Sequence, residues 1–129
     1  MEEQQKNSSA GKKLEGYKPV ATANELKIID LQKGDGKQAS KESEITVHYT
    51  GALAKTGVIF ESSLDGGQPV TFPLNQVIKG WQEGIDGMKE GGKRRLIIPA
   101  DLAYGEKGSP PAIGPNEPLV FDVELISVK

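Results

Sequence analysis

Side chains that could carry covalent or metal chemistry are scarce in this sequence. There is no cysteine, which excludes thiol nucleophiles, disulfides and thiolate metal sites. The one histidine, His48, rules out the usual zinc sets built on two or three histidines. No paired carboxylates stand at a useful spacing, so a metal-dependent hydrolase has almost no support. His48 lies in an alternating stretch: Ile45, Val47 and Tyr49 share one face, and Thr46, His48 and Thr50 the other. It therefore points away from Tyr49, and a structural or surface role suits it better than a catalytic one. The only tryptophan, Trp81, follows Gly80 at the entrance of the best helix candidate, where its ring can face a cavity. Tyr104 sits beside Gly105 in a loop.

The elements that must position these residues fit one domain of 129 residues. Charged residues make up 26% and hydrophobic residues 36%, which suits a globular chain rather than a membrane-spanning or disordered one. A net charge of −2 gives no reason to expect nucleic acid as a partner. The densest basic run, Lys93-Arg94-Arg95, is too short for a phosphate-binding stripe and reads as a solvated strand end. No window approaches the ~18 apolar residues needed to span a bilayer. Residues 1–20 lack the apolar run of a signal peptide, which implies a cytoplasmic protein if Met1 is the native start. A periplasmic or membrane-tethered protein is the alternative if an export signal has been removed.

Residues 1–23 are polar, with Leu14 almost the only apolar side chain before Tyr17, and are expected to form a disordered tail or linker. The folded unit is expected over residues 24–129. Residues 24–31 read as a strand with both faces partly covered, broken by Gly34-Asp35-Gly36. Residues 44–51 and 58–62 read as strands joined by a turn at Lys55-Thr56-Gly57, and residues 69–74 as an extended segment. Trp81, Ile85 and Met88 recur at spacings of four and three, which predicts a helix over residues 78–88. Gly84 and Gly87 weaken that helix, so packing must hold it. Residues 95–99 are a further strand, residues 100–118 a Gly- and Pro-rich loop, and residues 119–129 a cleanly alternating last strand. The pattern is α+β, with an antiparallel sheet packed on one short helix.

Six blocks carry a resemblance to a known family. They are Val47-His48-Tyr49-Thr50-Gly51, Phe60-Glu61-Ser62-Ser63, Val77-Ile78-Lys79-Gly80-Trp81, Gly91-Gly92-Lys93, Ala103-Tyr104-Gly105 and the stretch from Leu119 through Leu125. In this order and spacing they resemble the FK506-binding-protein (FKBP) type of peptidyl-prolyl cis/trans isomerase, across roughly residues 24–129. The segment between Phe72 and Val77 is similar to bacterial members of the macrophage-infectivity-potentiator type. The resemblance implies a five- or six-stranded antiparallel sheet curled around one short helix, in a monomer that needs no metal or cofactor. It also implies binding of proline-containing polypeptides and of the macrolides tacrolimus and rapamycin.

By the same resemblance, the catalytic residues are Tyr49, Phe60, Glu61, Trp81, Tyr104 and Phe121. Trp81 forms the pocket floor, and Val70, Phe72, Val77, Ile78 and Ile113 bind substrate, Ile113 as a flap. The Tyr104 hydroxyl and the Ile78 N–H would each hold a substrate carbonyl. The sequence departs from the family's pattern at Glu61, where aspartate is usual. One more methylene moves the carboxylate by more than an ångström, either to Tyr49 or out to solvent. Val70 and Gly66 replace a larger aromatic and an arginine, and Ser109 replaces a histidine. The implied reaction suits the short supply of reactive side chains. Rotation about a peptide bond faces a barrier of ~18–20 kcal/mol set by amide resonance, while the two prolyl isomers differ by only ~0.5–1 kcal/mol. A catalyst must bind the twisted, less polar amide better than either planar form, and a dry apolar pocket does so without a nucleophile. The competing reading is a docking module that keeps the fold without turnover.

Overall fold

Alternation along the last strand decides where the core lies. Phe121, Val123 and Leu125 point to one face of β6 (Leu119–Val128), and that strand runs through the middle of the sheet. The computed structural model describes residues 9–129. Its other strands are β1 (Lys27–Gln32), β2 (Glu44–Leu53), β3 (Ile59–Ser62), β4 (Val70–Pro73) and β5 (Lys93–Ile98). The order is β1-β5-β6-β2-β3, and all pairings are antiparallel. β2 is long enough to serve two partners on its second side. Its first half pairs β4 from Glu44 to Val47, and its second half pairs β3 from Thr50 to Ala52. The α+β architecture and the antiparallel sheet with one α-helix among the described residues agree with the sequence expectation.

The helix, α1 (Lys79–Ile85), crosses the concave face and buries Trp81 and Ile85. It comes unusually close to the sheet at Gly84, where a Cβ would lie 2.7 Å from Leu96 Cδ2. Glycine's low helix propensity is thus offset by contact that a side chain would block. The helix stops at Ile85, three residues before the expected end, because Asp86 (φ −53°, ψ 128°) leaves the helical region. Met88 still reaches the core, from a turn. The core between helix and sheet includes Ile45, Val47, Leu74, Trp81, Ile85, Leu96, Ile98, Phe121, Val123 and Leu125.

Three further features differ from the sequence expectation. The first is β1, which pairs only with β5 and so stands at an edge. Partial cover of both faces was expected, but every residue of β1 is exposed, with Ile28, Ile29 and Leu31 at 44–47%. The second is the basic run, in which Lys93 is exposed but Arg94 and Arg95 are half-buried and engaged. Arg94 donates to Asp30 Oδ1 at 2.8 Å and to the Gly84 carbonyl at 2.9 Å, while Arg95 grips Asp122 with two bonds of 2.7 and 2.8 Å.

The third difference concerns the expected tail. Its residues 1–8 lie outside the described residues. Residues 9–23, however, are laid as a strap across the outer face of the sheet. Gly11 N–H donates to Ile59 O at 2.8 Å, Ile59 N–H to Lys12 O at 2.7 Å, and Leu14 N–H to Gly57 O at 2.8 Å. The Tyr17 hydroxyl donates to Ala54 O at 2.6 Å. Arg95 holds the carbonyls of Glu15 and Gly16 at 3.0 and 2.8 Å and lies 5.6 Å from the centre of the Tyr17 ring. Leu14, only 8% exposed, packs into a second apolar cluster with Ala52, Ile59, Ile97 and Val120, and Tyr17 and Val20 pack against it. A few apolar anchors at spacings of three suffice because the sheet supplies the hydrogen bonds. A chain that starts at Asn24 should therefore lose ~2–3 kcal/mol of stability, roughly the burial of Leu14 and part of Tyr17 less their ordering cost. Urea unfolding of the two chains would measure it; identical midpoints would show that the strap contributes nothing.

Candidate active site

Strand parity brings Tyr49 from β2, Phe72 from β4 and Phe121 from β6 onto the concave face. The turn after β4 and the first turn of α1 add Val77, Ile78 and Trp81. Tyr104 arrives from the loop after β5. With Glu61 of β3 and Gln76 they line a cavity of about 430 Å³. Trp81 is the hub. Its indole meets the Tyr49 ring at 5.3 Å, Phe121 at 5.4 Å and Phe72 at 5.7 Å, with interplanar angles of 78°, 89° and 88°. Edge-to-face pairs of this kind add about 0.5–1.5 kcal/mol each beyond area burial. The Trp81 Nε1–H is buried with no hydrogen-bond partner among the described residues, and ring faces offer such a donor only a weak contact.

Among the described residues, Glu61 is the one carboxylate that lines the cavity. It reaches Tyr49: the phenol donates to Oε2 at 2.6 Å, so the longer side chain keeps the contact rather than swinging to solvent. Burial first, and then the bond to Glu61 and its negative charge, push the Tyr49 phenol well above its ordinary value. Burial, then the Glu61 charge, raise Tyr104 in the same direction. Both phenols thus stay protonated as donors throughout the neutral range. No group of three His, Asp or Glu among the described residues could hold a metal ion.

Of the residues named from sequence, Tyr49, Glu61, Phe72, Val77, Ile78, Trp81, Tyr104 and Phe121 come together at this cavity. Three do not line it. Phe60 stands edge-on behind Phe121 at 5.9 Å and supports the wall. Val70 is half-buried in β4 opposite Val47. Ile113, expected as a flap, is 4% exposed in the main core. The loop closes on itself there, with Ser109 N–H to Ile113 O at 2.8 Å and the return bond at 3.0 Å. Gln76 went unnoticed in the sequence, since a lone polar residue between strand and helix gives no periodic signal. His48 lies on the opposite face of the sheet, as its parity implied, with Nδ1 2.9 Å from Ser63 Oγ. It faces a separate groove with Leu31, Leu64, Lys93 and Glu124, although Tyr49 contributes to the lining of both.

Known proteins are similar to this chain in sequence and in fold. The family model described as FKBP-type peptidyl-prolyl cis-trans isomerase matches residues 35–126. The chain is 56% identical to the FK506-binding protein of Neisseria meningitidis serogroup A over 105 residues, covering 80% of this chain and 95% of that protein. It is 48% identical to the peptidyl-prolyl cis-trans isomerase Mip of Coxiella burnetii over 121 residues, covering 94% of this chain but only 51% of that protein. The crystal structure of FkpA from Escherichia coli superposes with a TM-score of 0.75 at 40% identity, covering 99% of this chain and 56% of that one. The family match takes in β2 to β5, most of β6, the helix and every residue of the aromatic cavity, and the chain belongs to the FKBP-type peptidyl-prolyl cis-trans isomerase family.

Proposed function

We propose that the aromatic cavity takes the ring of a proline against Trp81 and accelerates rotation about the preceding peptide bond by desolvation and carbonyl positioning. The observation that carries this reading is the make-up of the cavity: a tryptophan ringed by three aromatic side chains, with phenol donors and one carboxylate already engaged by Tyr49. Such a site disfavours the charge-separated planar amide and favours the twisted one. The Tyr104 hydroxyl and the Ile78 N–H hold carbonyls of the substrate, which stops the chain from turning as a whole while one bond rotates. The same apolar cup suits tacrolimus and rapamycin, and the domain acts on proline-containing polypeptides as a monomer.

A proline-peptide isomerisation assay with and without rapamycin tests the reading. Acceleration that rapamycin suppresses is expected, together with a change in fluorescence from the single indole, Trp81. Peptide binding without acceleration would leave a docking module instead. Tyr104→Phe keeps the ring and removes one hydrogen bond, so it should cost ~0.5–1.5 kcal/mol of transition-state stabilisation, at most about tenfold in rate. With both phenols raised, neither loses its proton until the pH exceeds the usual tyrosine range of about 10. The rate should accordingly be flat between about pH 5.5 and 8.5, with no acid or base at work. A steep profile that vanishes in His48→Gln would overturn the mechanism, as would a thousandfold loss in Tyr104→Phe.

A further inference from the structure

The junction between β4 and α1 carries an interaction that the isomerase reading does not yet use. The helix starts without a side-chain cap. Instead, the Ile78 carbonyl accepts from Trp81 N–H at 3.0 Å and from Gln82 N–H at 3.1 Å. One peptide unit upstream, the half-buried Gln82 side chain folds back over this first turn and donates from Nε2 to the Val77 carbonyl at 2.7 Å. A carbonyl only accepts, so the contact also fixes which end of the Gln82 amide faces it. This bond lies outside the helix's own ladder, which is complete at Gln82 without it.

The Val77 C=O and the Ile78 N–H belong to the same trans peptide and leave it from opposite edges. The Ile78 N–H donates no hydrogen bond among the described residues, and Val77 and Ile78 both line the cavity. Pinning the carbonyl toward the helix therefore turns the N–H toward the cavity. It also polarises the amide, because a carbonyl that accepts a hydrogen bond makes its own N–H a stronger donor.

We propose that Gln82 is a positioning residue for isomerisation: its hydrogen bond to Val77 O aims and strengthens the Ile78 N–H that receives a substrate carbonyl. This rests on the reading that the cavity isomerises prolyl bonds. Gln82 touches no substrate itself and acts only through one peptide plane.

Two substitutions test it. Gln82→Met keeps length and removes the donor. It should lower kcat/KM for a proline peptide about five- to tenfold, leave the unfolding midpoint near that of the wild type, and move the Ile78 amide proton resonance upfield in the free protein. Gln82→Glu sets a carboxylate against the carbonyl at pH 7.5 and should lose at least as much. Its deficit relative to wild type should shrink as the pH falls toward the ordinary carboxyl range of about 4–5, where the protonated acid donates again. A merely structural role would give neither the amide shift nor this recovery. Wild-type kcat/KM and an unmoved Ile78 resonance in Gln82→Met would overturn the proposal, as would a Gln82→Glu deficit independent of pH. An inactive wild-type chain would overturn the isomerase reading; an active one indifferent to Gln82→Met would overturn this inference alone.

Discussion

Phe121→Ala should destabilise the domain by ~3–5 kcal/mol and remove most of its isomerase activity. The ring is 4% exposed and stands on the central strand, opposite Gly51 of β2 and Leu96 of β5. It meets Trp81 at 5.4 Å, Phe60 at 5.9 Å and Tyr49 at 6.2 Å. Truncation to Ala loses the transfer free energy of the ring and leaves a void. The neighbouring rings cannot close that void, since Trp81 is held by Tyr49 and Phe72 as well. Urea denaturation followed by Trp81 fluorescence would read the stability, and a proline-peptide assay the turnover. A loss below about 1 kcal/mol would mean that the ring contributes little packing, against the burial described above.

Gly51→Ala should do comparable harm by the opposite route, adding one carbon where there is no room. A Cβ at Gly51 would lie 2.6 Å from Phe121 Cε1 and 2.8 Å from Phe60 Cζ. Both obstacles are aromatic rings in a packed wall, not the free ends of flexible side chains. Overpacking of this kind costs about 1–3 kcal/mol. The effect on catalysis should exceed the effect on stability, because the cheapest relief is to push Phe121 toward the cavity proposed to take the proline ring. We expect kcat/KM to fall by at least about tenfold, with a changed emission from Trp81 in the folded state. Wild-type turnover would show that the two rings yield without disturbing the cavity.

Legibility from sequence tracked how local each signal was. β6 could be read outright, because Phe121, Val123 and Leu125 alternate over a strand buried on its concave face. The helix was legible from Trp81, Ile85 and Met88, but its end was not. Met88 has the spacing of a helical residue and reaches the core from a turn, a distinction that only tertiary contact makes. The strap was invisible for a different reason. Leu14, Tyr17 and Val20 are sparse among polar residues, and their partners Ala52, Ile97 and Val120 sit on the strand parity that normally faces water. Arg95 likewise reads as a surface charge until Asp122 and the carbonyls of residues 15 and 16 are placed around it. Periodicity did not identify the cavity, whose walls come from four strands, a turn, a helix and a loop. The family resemblance named eight of its lining residues, and it also named Phe60, Val70 and Ile113, which stand off the cavity. Gln76 and Gln82 escaped notice because an isolated amide carries no pattern of its own.

Trp81, Phe121 and Tyr49 each face two ways, inward to the main core and outward to the cavity. Enzymes commonly exchange stability for activity, since a strained or polar site can be relaxed at the expense of turnover. That exchange is closed to a domain whose proposed proline site is the inner wall of its own core. A mutation that loosens these rings is penalised twice, and few sequence changes can improve one property by sacrificing the other. With the cavity as the proposed proline site, activity becomes a direct gauge of folding: a copy whose core has not set has no cavity, and such an isomerase stays silent until its own chain has folded.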